Sequence, residues 1–251
     1  GTDPSGDRFE FLNTELRKDK VDIIDEHYYR TPEWFLQNAA RYDKYDRNGP
    51  KIFAGEYAAQ SDKVVSIHNK NNLRTALAEA AFMTGLERNA GVVAMASYAP
   101  LFAHAEGWQW TPDMIWVDNL RSYGTPNYYV QKLYSTNRGT HVVSALQNDL
   151  PLTGQDSMYA SAVIDKGTGE LIIKMVNAGN LAAIKDIQIN GAKKLGASGT
   201  QTLLTANDTN AMNSLDAPAL ISPVTSALKP KGNLLRVELP PHSFTVVKIR
   251  I

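Results

Sequence analysis

The sequence predicts a mixed protein, with an α/β region over residues 1–136 followed by an all-β region over residues 137–251. Two observations support this division. In the first region, helical periodicity alternates with short apolar runs, a pattern typical of parallel βαβ units. From about Thr140 onward, short β-rich runs are separated by turn clusters such as KGTG at 166–169. This spacing is typical of an antiparallel β-sandwich or jelly roll.

The elements of the first region follow from periodicity and from capping signals. A helix at Asp7–Lys18 would bury one face, and Thr31-Pro32 is typical of a helix start because proline is tolerated in the first turn. The predicted elements, in order, are a helix at 7–18, a strand at 21–29, a helix from residue 31 through EWFLQNAARYDKY to the break at Gly49-Pro50, a strand at 51–59, a helix at 73–88, a strand at 92–102 and a helix near 127–134. The predicted β-rich runs are 140–147, 157–165, 170–177, 185–190, 200–206, 234–240 and 244–251.

The strand count of the α/β region indicates an incomplete barrel. A (β/α)8 barrel takes about 250 residues, whereas about 135 residues precede the β-rich region. The chain also opens with a helix, which in a βαβ series crosses over from an earlier strand. We therefore predict the trailing three β/α units of a (β/α)8 TIM barrel; the alternative is a small three-stranded α/β layer. Because a partial barrel has open strand edges, we expect the isolated chain to form a homo-oligomer or to order this region loosely.

Composition excludes several classes of function. Lys and Arg total 26, as do Asp and Glu, so no net positive field attracts nucleic acid. No apolar run reaches the ~18 residues of a spanning helix, so we expect no membrane insertion. The five histidines show no metal-binding spacing, and no dinucleotide or phosphate-binding motif occurs. We therefore expect no metal and no cofactor. The lack of cysteine does not fix the compartment.

Glu56 is the first candidate catalytic residue. It lies near the carboxyl end of the apolar strand KIFAGEYAA, and active sites of β/α barrels are built at that end of the strands. Strict alternation would put Ile52, Ala54 and Glu56 on one face. The alternative is an acidic residue at the point where the strand leaves the core.

His27 and Tyr29 are expected to point together from the end of the preceding strand, VDIIDEHYY. Such a pair can hold a neighbouring carboxylate by hydrogen bonds. The alternative is a pair of amphipathic residues that cap a core. Asp25 and Glu26 could supply a second carboxyl group for acid/base chemistry, but an internal ion pair is the favoured interpretation.

A tryptophan-rich segment, EGWQWTPDMIWVDN, follows the third predicted strand. Indole faces stack on sugar rings, and the loops after barrel strands form the binding cleft. Trp108 and Trp110 are therefore candidate substrate-binding residues, and Asp113 and Asn119 are candidate hydrogen-bonding partners of a substrate. For each tryptophan, the alternative is packing against the second region.

These residues together resemble a known family. The runs DEHYYRTPEWF, KIFAGEYAA, ALAEAAFMTGLERNAGVVAMASYAPLFAH and YGTPNYYVQKLY are similar, in order and spacing, to the α-L-arabinofuranosidases of glycoside hydrolase family 51. The resemblance covers about the first 135 residues, and the β-rich region looks like that family's C-terminal jelly roll. The long GLERNAGVVAMASYAPLF match argues against other retaining barrel glycosidases.

The resemblance implies specific roles. Glu56, in the GEYA motif, corresponds to the catalytic nucleophile, and His27 and Tyr29 match a His-x-Tyr motif whose tyrosine contacts the nucleophile. Asp113 falls near a glutamine that binds arabinose in relatives. The implied substrate is an arabinose-containing polysaccharide or oligosaccharide such as arabinoxylan or arabinan.

The chain departs from the family in one respect. The family's acid/base is a Glu in an Asn-Glu motif, and no Asn-Glu dipeptide occurs here. Two hypotheses remain. The chain is the C-terminal portion of an arabinofuranosidase whose partner is the missing N-terminal part of the barrel, and by itself it is inactive. Alternatively, it is a non-catalytic carbohydrate-binding module.

Overall fold

The computed structural model describes residues 5–251. The first part of the chain contains α1 (Asp7–Lys18), β1 (Ile23–Arg30), α2 (Pro32–Gln37), β2 (Lys51–Ala59), α3 (Leu73–Arg88), β3 (Val93–Tyr98), β4 (Phe102–His104), β5 (Ile115–Val117), β6 (Ser122–Gly124) and α4 (Pro126–Thr136). The second part contains β7 (His141–Val143), β8 (Leu146–Gln147), β9 (Leu150–Pro151), β10 (Met158–Asp165), β11 (Glu170–Asn177), β12 (Ala183–Gln188), β13 (Gly199–Thr205), β14 (Val224–Leu228), β15 (Leu234–Leu239) and β16 (Ser243–Arg250).

Side-chain caps define where three of the helices begin. Thr31, Asn72 and Thr125 precede α2, α3 and α4, and each side chain accepts a hydrogen bond from a backbone N–H in the first turn. These bonds satisfy donors that have no partner within the helix. The predicted starts of α2 and α3 are confirmed for this reason. The predicted length of α2 was wrong, because the helix ends at Gln37 and a separate 3-10 turn follows at Arg41–Lys44.

β1, β2 and β3 form a parallel sheet in that order. The predicted strand at 92–102 is too long, because β3 ends at Tyr98 and a separate strand, β4, follows Pro100. Proline has no N–H group to donate to a sheet, which explains the interruption. β4, β5 and β6 form a small mixed sheet of their own.

The β-rich part forms a six-stranded antiparallel sheet in the order β14-β13-β16-β11-β10-β7. One of its faces shares a core with the β12–β15 pair, in which Leu235, Val237 and Leu239 are buried. Each of the seven predicted β-rich runs overlaps a strand. β14 was not predicted, because its sequence VTSAL has no continuous apolar run. In the structure, four of its five residues are exposed.

α3 joins the two sheets into one core. Every residue from Leu73 to Leu86 except Arg74 is buried. One side of α3 packs with α2 and the parallel sheet, and the other contacts β10 and β11. Its alanines allow this close approach on both sides. At Gly85, an added Cβ would lie 2.0 Å from the Ala39 carbonyl oxygen, so the helix tolerates no side chain there.

Candidate active site

A β-bulge sets the direction of Glu56. Glu26 pairs with Ala54, but the next pair is His27 with Glu56, so Gly55 is an extra residue in β2. The β2–β3 ladder shifts in the same stretch, between Ala54 and Tyr57. Because one inserted residue reverses the alternation, Glu56 leaves the α3-facing side on which Ile52 and Ala54 are buried. The expectation that these three residues share a face was wrong.

The side chain of Glu56 is held through one of its two oxygens. The Tyr29 hydroxyl donates a hydrogen bond to Oε2 at 2.7 Å, and His27 Nδ1 lies 3.4 Å from the same atom. Oε1 has no such contact within residues 5–251. The carboxyl side chain is 44% exposed, so Oε1 is open to a molecule that approaches this face of the sheet.

Tyr29 is a hydrogen-bond donor to Glu56. Burial raises the pKa of the Tyr29 hydroxyl well above its ordinary value, and its hydrogen bond to the Glu56 carboxylate raises that pKa further. The hydroxyl therefore keeps its proton at any ordinary pH. The sequence expectation that His27 and Tyr29 point together is met, since Asp25, His27 and Tyr29 alternate with the buried Ile24, Glu26 and Tyr28.

Asp25 and Glu26 lie on opposite faces of β1 and have different partners. His27 Nε2 and Asp25 Oδ2 are 2.7 Å apart. Glu26 is fully buried and accepts hydrogen bonds from the hydroxyls of Tyr28, Tyr42 and Tyr45, with Arg41 Nε 3.7 Å away. Glu26 and Arg41 thus form an internal ion pair of the kind that the sequence suggested.

His27, Tyr29 and Glu56 form a cluster, the Glu56 cluster, and Trp110 of the tryptophan-rich loop lies against it. Its ring packs edge-to-face on Tyr29 with centroids 5.8 Å apart, and its buried Nε1 has no hydrogen-bond partner among the described residues. Trp108 instead packs on Trp116. Asn119 Oδ1 lies 3.4 Å from His104 Nε2. Trp108 and Asn119 make no hydrogen bond or ring contact with the Glu56 cluster within residues 5–251.

Asp113 is a buried carboxyl group in the same loop, 2% exposed. Burial raises the pKa of Asp113 to about 6. Its Oδ2 atom has no hydrogen-bond partner among the described residues. This oxygen is therefore a hydrogen-bond acceptor for the hydroxyl group of a ligand that binds close to it.

Glu79 of α3 is an acidic residue that the sequence analysis missed. It is fully buried, and its Oε1 accepts a hydrogen bond of 2.8 Å from the N–H of Ala59, at the end of β2. Burial raises the pKa of Glu79 to about 8, and the Ala59 N–H and the Asn127 side chain partly offset this rise. The available sequence signal is a single charged residue within the apolar run ALAEAAFM.

Two features of residues 5–251 bear on other classes of site. Within residues 5–251, no group of three or more His, Asp or Glu side chains is arranged to hold a metal ion. No helix in that part of the chain is both long and apolar enough to cross a membrane.

Comparison with known proteins assigns the chain to a class. The family described as the α-L-arabinofuranosidase C-terminal domain matches residues 55–243. An arabinose-bound α-L-arabinofuranosidase of glycoside hydrolase family 51 superposes with a TM-score of 0.83 at 33% identity, covering 91% of this chain and 37% of that one. The fold is therefore that of the family 51 arabinofuranosidases.

Named relatives agree with this class. An extracellular exo-α-L-arabinofuranosidase of Streptomyces chartreusis is 48% identical over 151 residues, which cover 60% of this chain and 17% of the relative. α-L-arabinofuranosidase 1 of Arabidopsis thaliana is 34% identical over 231 residues, which cover 90% of this chain and 33% of the relative. Because the family match takes in more than half of the chain, the chain belongs to the α-L-arabinofuranosidase C-terminal domain family. It spans a third or less of the length of these two relatives.

Proposed function

We propose that this chain is the nucleophile-bearing C-terminal portion of a retaining α-L-arabinofuranosidase. The whole protein would release terminal α-L-arabinofuranosyl residues from arabinoxylan- or arabinan-type polysaccharides. In this proposal, residues 1–136 are the trailing three β/α units of a TIM barrel and residues 137–251 are the jelly roll. The arabinofuranosidase names of the relatives, and the share of their length that this chain spans, support the proposal.

The contact of Tyr29 and His27 with a single oxygen of Glu56 is the observation that carries the mechanism. The Tyr29 hydroxyl and the His27 ring both lie against Oε2. Oε1 is therefore the oxygen that would attack the anomeric carbon of the arabinosyl unit. The C–O bond to the leaving group breaks, the leaving oxygen takes a proton from the acid/base, and Glu56 becomes an arabinosyl ester. Water activated by the same acid/base then hydrolyses the ester and restores the carboxylate.

The acid/base comes from the missing N-terminal part of the barrel in this proposal. A retaining enzyme needs two carboxyl groups ~5–5.5 Å apart. The resemblance to family 51 implies that the second is the Glu of an Asn-Glu motif, and no Asn-Glu dipeptide occurs in this sequence. β1 and β3 are the two edges of the parallel sheet, and each is paired on one side within residues 5–251. The preceding strands would pair with these edges and close the barrel; without them, a second copy of the chain would compete for the same edges.

The loop from Trp108 to Asn119 would bind the sugar. Trp110 borders Tyr29 and carries a buried N–H donor, while Asp113 carries a buried acceptor. Trp108 is 37% exposed, and its indole ring would stack on a further sugar ring. In the whole protein, sugar hydroxyl groups would be the hydrogen-bonding partners of this donor and this acceptor.

Hydrolysis of a chromogenic α-L-arabinofuranoside tests the proposal. We expect no turnover from residues 1–251 alone, and turnover from an N-terminally extended form that supplies the rest of the barrel. Glu56→Gln should abolish activity of the extended form, whereas the exposed Glu106→Gln should retain it. Equal activity of both variants, or no activity of the extended form with intact folding, would contradict the proposal.

A carbohydrate-binding module without catalysis is the second candidate, and the exposed Trp108 ring favours it. In that case residues 1–251 would bind arabinoxylan, and Trp108→Ala would weaken binding while Glu56→Gln had no effect in any form of the protein. Calorimetric titration with arabino-oligosaccharides separates this candidate from the first.

A further inference from the structure

Asp25 is an acidic neighbour of the Glu56 cluster on β1. It is two residues before His27 on β1, so both side chains lie on the same face of the sheet. Asp25 Oδ2 is 2.7 Å from His27 Nε2, and the other ring nitrogen, Nδ1, faces Glu56 Oε2 at 3.4 Å. The imidazole ring therefore lies between two carboxyl groups.

Gly55 makes room for the Asp25 carboxyl group. A Cβ at position 55 would lie 2.1 Å from Asp25 Oδ1 and 3.0 Å from the ring of Phe53. Gly55, the extra residue of the bulge, thus also leaves the space that the Asp25 carboxyl group occupies. The same local geometry that aligns His27 with Glu56 admits the side chain that holds His27.

We propose that Asp25 is a positioning residue that acts through His27 on Glu56. The Nε2–H group of His27 donates to Asp25, which fixes the orientation of the ring and places a proton on Nε2. Nδ1 then faces Oε2 of Glu56. A ring fixed in this way keeps Nδ1 against Oε2, the oxygen that Tyr29 also binds, so that Oε1 stays on the open side. An aspartate that orients a catalytic histidine from behind is a known arrangement in hydrolases.

This proposal rests on the role of Glu56 in the proposed function, but its first test needs no turnover. The chain is labelled with 15N-histidine, and the His27 signals are assigned with His27→Gln. We expect the wild-type Nε2 to be protonated and hydrogen-bonded. Asp25→Asn should shift the His27 ring nitrogens toward a mixture of tautomers, whereas Asp22→Asn, an exposed change just before the same strand, should leave them unchanged.

Gly55→Ala gives an independent perturbation, because the added methyl group displaces the Asp25 carboxyl group without removing it. It should reproduce the His27 shift seen with Asp25→Asn. His27 signals that stay unchanged in both variants, with the rest of the spectrum intact, would overturn the proposal.

The second test measures kcat and KM in the N-terminally extended form. Asp25→Asn should lower kcat by about ten- to a hundredfold, as loss of an outer partner of a functional histidine does, and KM should change much less. Restoration of activity by azide would overturn the positioning role, because it would identify Asp25 as the acid/base. If Glu56→Gln keeps full activity, the proposed function fails, and the spectra alone then decide whether Asp25 holds His27.

Discussion

Lys174 of β11 and Glu87 of α3 form an ion pair between the antiparallel sheet and the helical layer. Lys174 is fully buried; its Nζ also donates to the Asn137 carbonyl oxygen at 2.7 Å and lies 5.2 Å from the centre of the Tyr134 ring. The second oxygen of Glu87 accepts a hydrogen bond from the Ser161 hydroxyl. One buried cation thus links a strand of the β-rich part to α3 and to the end of α4.

Removal of the Lys174 charge should destabilise the whole chain. Lys174→Met leaves Glu87 without its cation in a largely buried place, and loss of one partner of a buried pair costs about 3–5 kcal/mol. Urea denaturation measures the free energy of unfolding. The control is Lys248→Met, whose partly exposed pair with Glu170 should contribute less than about 1 kcal/mol. Similar losses in the two variants would show that the buried pair has no special role.

Gly85→Ala should destabilise the chain although alanine is the better helix former. In an open helix, alanine is more stable than glycine by about 0.5–1 kcal/mol. Here the new Cβ would lie 2.0 Å from the Ala39 carbonyl oxygen, and overpacking of this kind costs about 1–3 kcal/mol. Gly91→Ala is the matched control, because no atom lies within 4 Å of its added Cβ. A Gly85→Ala protein as stable as the wild type would contradict the close packing of α3.

Glu79 should make stability fall as the pH rises from about 4.5 to about 8. The pKa of Glu79 is raised to about 8 in the folded chain, so the folded state keeps a proton that the unfolded state releases. The unfolded state is therefore favoured increasingly across this window, by a few kcal/mol in all. Glu79→Gln should remove this pH dependence, and at pH 8 the variant should unfold at a higher urea concentration than the wild type.

Urea midpoints between pH 4.5 and pH 8.5 measure the effect, with the exposed Glu238→Gln as the control. The Glu79→Gln curve should be flatter than both others. Parallel curves for all three proteins would mean that Glu79 is not protonated in the folded state at neutral pH.

Tyr29→Phe should lower the turnover of the N-terminally extended form. It removes the hydrogen bond to Glu56 Oε2, and a bond to a charged group contributes about 1.5–3 kcal/mol, which is about ten- to a hundredfold in rate. Because the Tyr29 hydroxyl keeps its proton at ordinary pH, the loss should be the same at every pH below about 9. A loss confined to alkaline pH would contradict a donor role, and Tyr128→Phe on α4 is the control.

Local sequence signals were sufficient for most elements near the site. α1, β2 and α3 have the predicted bounds, because an apolar period or a cap such as Asn72 determines where each begins. The pairing of His27 with Tyr29 also follows from alternation within one strand. Asn119 and Trp108, in contrast, were candidates because of their residue type and their place in a loop after a strand, and their contacts with His104 and Trp116 depend on loop conformation.

By itself, the sequence determined the order of helices and strands in the first part of the chain, the strand that carries Glu56 and the resemblance to the family to which the chain belongs. These features depend on periodicity and on motifs that are local in the chain. Only the tertiary structure decided which face Glu56 occupies, because the extra residue at Gly55 is defined by the register of β1 and β3 beside it. The buried states of Glu79 and Lys174 were likewise decided by packing, since α3 is buried from two sides by sheets that are distant from each other in sequence.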